Sequence, residues 1–181
     1  RLLHWISIGD SPLYLFRAGD LVRLNADHSF GSVIRAMVAD GSMEADAAER
    51  HPDRQSLISV ISGGAIAHVD CPRTPYRLTD GDVLVFASDG LMHLDEDEIR
   101  RLLRARREAS AAEIAAALVA AVDSLDDPEQ DNVSVAVVRI GAHVGTHGAE
   151  AGRRPGAASV AAAGRETTAA PALCGGEGND R

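Results

Sequence analysis

Over the first 140 positions the apolar residues fall into short β-like runs and two longer helical stretches. "LLHWISI" and "LYLFR" are compact, β-rich runs joined through "GDSP", which predicts an opening hairpin. "DLVRL" follows the turn "AGD" and reads as a further strand. Helical spacing fills residues 31–39 and stops near Asp40-Gly41, with a short helix expected over 44–49. Extended segments are expected around 56–61, 65–70 and 75–78. "TDG" then turns the chain into "VLVFA", Val83–Ala87, an unbroken apolar run that predicts a buried strand.

Two helices come next. Asp95 with Glu98, and Ser110 with Glu113, are both capping-box spacings. The first helix places Ile99, Leu102 and Leu103 on one face and ends among Arg104, Arg106 and Arg107, cations suited to a helix C-terminus. The second aligns Ile114, Leu118, Val122 and Leu125. The polar loop "DDPEQDN" leads into the strand "VSVAVVRI". Strands in two stretches with paired helices between them indicate an α+β layered domain.

Residues 141–181 break this pattern. Ala and Gly make up 20 of the 41, with one Leu, no Ile and no aromatic residue. Such a segment buries too little apolar area to offset its ordering entropy, so it is expected to be a disordered tail. "HVGTH" within it spaces two histidines by four, but without a helix to align them it makes a poor metal site. The chain opens at Arg1 directly into strand-like sequence, as the interior of a domain would. Neither a long apolar span nor a signal-like segment is present, and Cys71 and Cys174 are far apart, so a reduced, cytoplasmic setting is expected.

Charge narrows the partners. The net charge is -9, and all 18 basic residues are arginine. In 141–181 four acids cancel four bases, so the negative balance lies in residues 1–140. An acidic body without a basic stripe argues against nucleic acid and anionic membrane and suits a site that collects divalent cations.

Three Asp-Gly pairs occur: Asp40-Gly41, Asp80-Gly81 and Asp89-Gly90. The first two stand where a helix end and a tight turn are wanted. Asp89 follows the C-terminal end of one apolar strand, and Asp131 precedes the start of another. If those strands are antiparallel neighbours, both carboxylates fall on one sheet edge, and Asp10 follows "LLHWISI" in the same way. At about 4 Å and an effective dielectric near 20, each like-charged pair costs on the order of 4 kcal/mol. Protons or a hard cation must neutralise them, and magnesium and manganese prefer such oxygen ligands.

Read in order, "ISIGDSPLYLFRAGDLVRLNADHS", "HPDR", "VLVFASDGL" and "DNVSVAVV" resemble the metal-dependent serine/threonine protein phosphatases of the type 2C class in their bacterial form. The resemblance spans Leu2 to about Ile140, roughly the C-terminal half of that catalytic domain. It implies an antiparallel β-sandwich flanked by helices in four α-β-β-α layers, here incomplete at its N-terminus. It implies hydrolysis of phosphoserine and phosphothreonine in proteins, by water that two Mn or Mg ions activate for in-line attack. Asp89 and Asp131 match ligands of one of the paired metals. Asp10 matches a residue that helps hold a third, weaker one. A phosphorylated protein substrate, a cognate serine/threonine kinase and a monomeric state are the implied partners and assembly.

The chain also departs from the pattern. The family's first motif, Asp-Gly-x-Gly-Gly-His, does not occur in it, and with it go the bridging carboxylate and a His thought to donate a proton. His93 stands where the family often has a further Asp, and Pro12 where an Arg is common. Asp89 and Asp131 alone would make one weak cation site. The alternative is therefore a non-catalytic, pseudophosphatase-like module that binds a phosphoprotein or a kinase. The blandest reading is an acidic domain with a structural cation. Among other polar residues, His28 is expected to be structural, Asn132 to buttress the Asp131 loop, and "HPDR" to be a buried turn held by Asp53 and Arg54.

Overall fold

The apolar run at Val83–Ala87 becomes the middle strand of an antiparallel sheet. In this computed structural model residues 1–54, 56–127, 130–141 and 159–165 are described. In chain order the elements are β1 (Leu2–Leu3), β2 (Leu13–Arg17), β3 (Asp20–Arg23), α1 (Phe30–Ala39), α2 (Ala45–Glu49), β4 (Tyr76–Arg77) and β5 (Val83–Ala87). A 3-10 turn over Asp89–His93 follows, then α3 (Glu96–Ala105), α4 (Ala111–Asp123), β6 (Val133–Arg139) and β7 (Ser159–Arg165). The main sheet has the order β3-β2-β5-β6-β7, and β1 pairs with β4 in a second, two-stranded sheet. Every pairing is antiparallel.

Alternation along the strands sorts side chains between two layers. Tyr14, Phe16, Val83, Val85, Val133, Val135 and Val137 face α3 and α4, where Ile99, Leu103, Ile114, Leu118 and Val122 meet them. Leu15, Leu84 and Ile140 face the other way, with Leu78 and the partly buried Leu3 and Tyr76 of the small sheet. The result is an α+β layering of helices on one sheet with a second sheet behind it, as expected. Both capping boxes form: Asp95 and Ser110 accept from the main-chain N–H of Glu98 and Glu113, whose carboxylates reach back to the cap N–H.

One ion pair anchors the far end of the main sheet. Asp82 is 1% exposed and takes two bonds from Arg17, at 2.8 and 2.7 Å, and one from the Thr79 N–H at 2.7 Å. Burial alone would raise its pKa, but Arg17 and Thr79 outweigh it and hold the carboxyl below its usual value.

Several expectations need correction. "LLHWISI" does not form a hairpin with "LYLFR", because β3 and β5 occupy both edges of β2. Leu2 and Leu3 pair with β4 instead, and Ser7 bridges Asp70. The segments 56–61 and 65–70 hold only isolated bridges, at Leu57 and Asp70. Gly63-Gly64 interrupts that run, and Ile61 is 77% exposed. "HPDR" is an exposed turn, with the Asp53 N–H donating to His51 Nδ1 at 3.2 Å. Leu125 lies beyond α4 and is exposed.

The expectation of a structureless 141–181 fails over 159–165. That stretch pairs with β6 along seven residues, from Val133 opposite Arg165 to Arg139 opposite Ser159. Main-chain pairing satisfies the outer edge of β6, and Ala161 and Ala163 are small enough to pack on the helical core. The "HVGTH" histidines and Cys174 lie outside the described residues. Among the described residues no helix is long and apolar enough to cross a membrane.

Leu118, fully buried under the sheet, should lose about 2–5 kcal/mol of stability on substitution by Ala in urea unfolding. Arg17→Ala should lower the melting temperature at neutral pH. A depressed carboxyl stabilises the fold above its unfolded value and loses that contribution as the pH falls. The gap to the parent chain should therefore narrow in a pH series taken below 3.8.

Candidate metal centre

The two strands that carry Asp89 and Asp131 are antiparallel neighbours. β5 and β6 pair from Val83 opposite Arg139 to Ala87 opposite Val135. The C-terminal end of β5 and the N-terminal end of β6 thus emerge side by side, each with its Asp just outside the ladder. The main-chain bond from Ala87 N–H to the Pro12 carbonyl, 3.1 Å, brings the segment holding Asp10 to the same end.

Ser88 continues the ladder beyond its last paired residues. Its N–H donates to the Ser134 carbonyl at 3.0 Å, and its hydroxyl accepts from the Ser134 N–H at 3.0 Å. The same hydroxyl donates to the Asn132 carbonyl at 3.1 Å. Gly90 completes the contact. Its φ is not positive, unlike those of Gly41 (+80°) and Gly81 (+93°), which are turn glycines in the ordinary sense. What Gly90 needs is space: a Cβ there would lie 2.9 Å from the Asn132 carbonyl carbon, nearer still to its oxygen, and 3.2 Å from the Asp131 oxygen.

Each carboxylate is steadied by the next residue. Asp89 Oδ1 accepts from the Gly90 N–H at 3.0 Å, and Asp131 Oδ1 from the Asn132 N–H at 2.7 Å. Asp89 and Asp131 are exposed, while Asp10 is half-buried. Burial pushes the Asp10 carboxyl above its usual value, and the nearby Asp89 adds to the rise. Arg23 holds the Asp10 carbonyl at 2.6 Å. His93 fills a place the sequence left open: its Nε2 lies 3.4 Å from the Asp131 N–H, and its Nδ1 3.8 Å from Asp127. His28 is buried, with its main chain bonded to Gly9 and Ile58.

Oxygen donors on an exposed sheet edge fit a hard, partly hydrated cation such as Mn or Mg. They do not by themselves enclose one. Among the described residues no three His, Cys, Asp or Glu side chains group closely enough to hold a metal. Asp89 and Asp131 are brought together by their loops, and Asp10 is close enough to feel the Asp89 charge. Sequence reading identified these three and missed Ser88, whose part depends on which strand lies beside it.

Gly90→Ala should cost roughly 1–3 kcal/mol in urea unfolding, because main chain rather than a flexible side chain blocks the added methyl. Asp10→Asn should raise the melting temperature of metal-free protein at pH 7. A carboxyl whose pKa is raised on folding destabilises the fold when ionised, so the advantage should vanish as the pH falls toward the unfolded value of 3.8.

Residues 24–141 match the model of the stage II sporulation protein E (SpoIIE) family. The chain is 28% identical over 133 residues to the serine/threonine phosphatase stp of Listeria welshimeri, covering 73% of this chain and 49% of that protein. The crystal structure of the Mycobacterium tuberculosis serine/threonine phosphatase PstP aligns with a TM-score of 0.57 at 28% identity, over 75% of this chain and 53% of that one. A PstP catalytic domain in complex with two manganese ions aligns with a TM-score of 0.53 at 26% identity, over 76% and 52%. The chain therefore spans about half the length of these relatives. That family match takes in well over half of the chain, which therefore belongs to the stage II sporulation protein E (SpoIIE) family.

Proposed function

We propose that this chain carries one side of the metal centre of a protein phosphatase that hydrolyses phosphoserine and phosphothreonine. The observation that supports this most is the locking of the Asp89 and Asp131 loops against each other at the end of adjoining strands. Asp89 and Asp131 would hold Mn or Mg, and Asp10 would stand by for a further, weaker ion. Such ions supply positive charge at the phosphoryl oxygens and acidify water. Ser88, Gly90 and Asn132 keep the two carboxylates in register, and the exposed edge leaves room for a phosphorylated side chain. The manganese-bound relative supports the choice of metal. A phosphoprotein substrate, a cognate kinase, a monomeric state and a cytoplasmic setting belong to the same reading.

A second reading is favoured by the donor set. Among the described residues no three ligand side chains gather. A chain acting with Asp89 and Asp131 alone would bind phosphoproteins or a kinase without turnover.

The two readings separate in one assay. Hydrolysis of an aryl phosphate and of a phosphoserine peptide is measured with the gene product in Mn²⁺. The phosphatase reading expects turnover that Asp89→Asn or Asp131→Asn lowers by at least 100-fold, the range spanned by losing a charge-stabilising group. Full activity in both variants would remove these residues from the mechanism. Binding of the phosphopeptide without turnover would favour the second reading.

A further inference from the structure

We propose that the cleft lined by Arg104, Arg107 and Arg139 is a phosphate-binding site, at the sheet end opposite the carboxylates. Its volume is about 830 Å³, and Arg17, Gly19 and Glu108 contribute to the wall. β6 runs between the two ends, with Asp131 just before its first residue and Arg139 as its last. Eight residues of extended chain separate them by roughly 26 Å. The site is thus distinct from the carboxylate edge, and its test does not need hydrolysis to occur.

The charges in the cleft do not cancel. Asp82 is neutralised by Arg17, and Asp80 is held by Arg1. Among the described residues Arg107 pairs with its exposed neighbour Glu108 alone, at 3.3 Å. Arg104 lies 3.7 Å from Asp20, a carboxylate 78% exposed. Arg139 is half-buried, and no ion-pair partner for it is found among the described residues. One of its nitrogens donates to the carbonyls of Arg107 and Ala109, both at 2.8 Å. A half-buried guanidinium held only by carbonyls keeps an uncompensated charge, which is costly without an anion.

The same tethers prepare the site. Arg104 Nε is fixed to the Gly19 carbonyl at 2.6 Å, and Arg139 is fixed by its two carbonyls. Each still has N–H donors to offer, in the planar fork that suits an oxyanion. Three guanidiniums around one cleft exceed what the two oxygens of a carboxylate can satisfy. A phosphate, with acceptors in several directions, matches them better. It could be free inorganic phosphate or a phosphoryl group on a peptide.

The test uses the whole chain in EDTA at constant ionic strength, with sodium phosphate as the probe and melting temperature and calorimetry as readouts. Saturable stabilisation by phosphate is expected, unchanged in Asp89→Asn and weakened at least tenfold in Arg139→Gln. Arg107→Gln, at an exposed position, keeps the fold intact and should weaken binding several-fold if Arg139→Gln fails to fold. A phosphoserine peptide that binds more tightly than phosphate supports the site with a peptide as its source. Equal or weaker binding supports it with free phosphate. Chloride acting as well as phosphate, loss of the effect in Asp89→Asn, or its survival in both arginine variants would overturn the proposal.

Discussion

The pairing of β5 with β6, extended into their loops by Ser88, is the constraint on which the rest of the site depends. Two exposed like charges would separate if their loops were free. Here the Ser88 hydroxyl and main chain tie one loop to Asn132 and Ser134 of the other. The missing side chain of Gly90 lets the two main chains touch. Stability gathered along the strands thus holds the loops that carry the two carboxylates against each other.

That stability comes from the other layer. α3 and α4 cover one face of the sheet through Ile99, Leu103, Ile114, Leu118 and Val122, and two capping boxes fix where the helices begin. The short turn Asp89–His93 leads directly from β5 toward α3, and Leu91 within it is fully buried. The Asp89 loop is therefore pinned on one side by the core and on the other by β6. At the opposite end, Arg17 and Asp82 fasten β2 to the start of β5, and the arginines at the end of α3 meet Arg139. One end of the sheet carries the loops of Asp89 and Asp131, and the other a cleft in which arginines and carboxylates alternate.

Expectations drawn from sequence failed where pairing partners had to be chosen. "LLHWISI" has the composition of a strand, but it competes for a β2 whose edges go to β3 and β5. The 159–165 segment was dismissed for its alanines, yet an edge strand needs main-chain groups and room more than bulky side chains. "HPDR" was read as buried because it holds a charge pair, and exposed turns carry such pairs as easily.

Residue order alone determined the strand at Val83–Ala87, the two capped helices, and the placing of Asp89 and Asp131 beside strand ends. Those follow from period, caps and turn chemistry, which act within a few residues of chain. Tertiary structure alone decided that Asp89 and Asp131 become neighbours, that Gly90 is needed for space rather than for its φ, and that Ser88 joins their loops. It also decided that Arg104 and Arg107, whose sequence positions suit a helix end, line one cleft with Arg139. These are contacts between residues about 30 to 45 positions apart, and no local preference encodes them. They arise when the sheet registers its strands and buries one face against the helices.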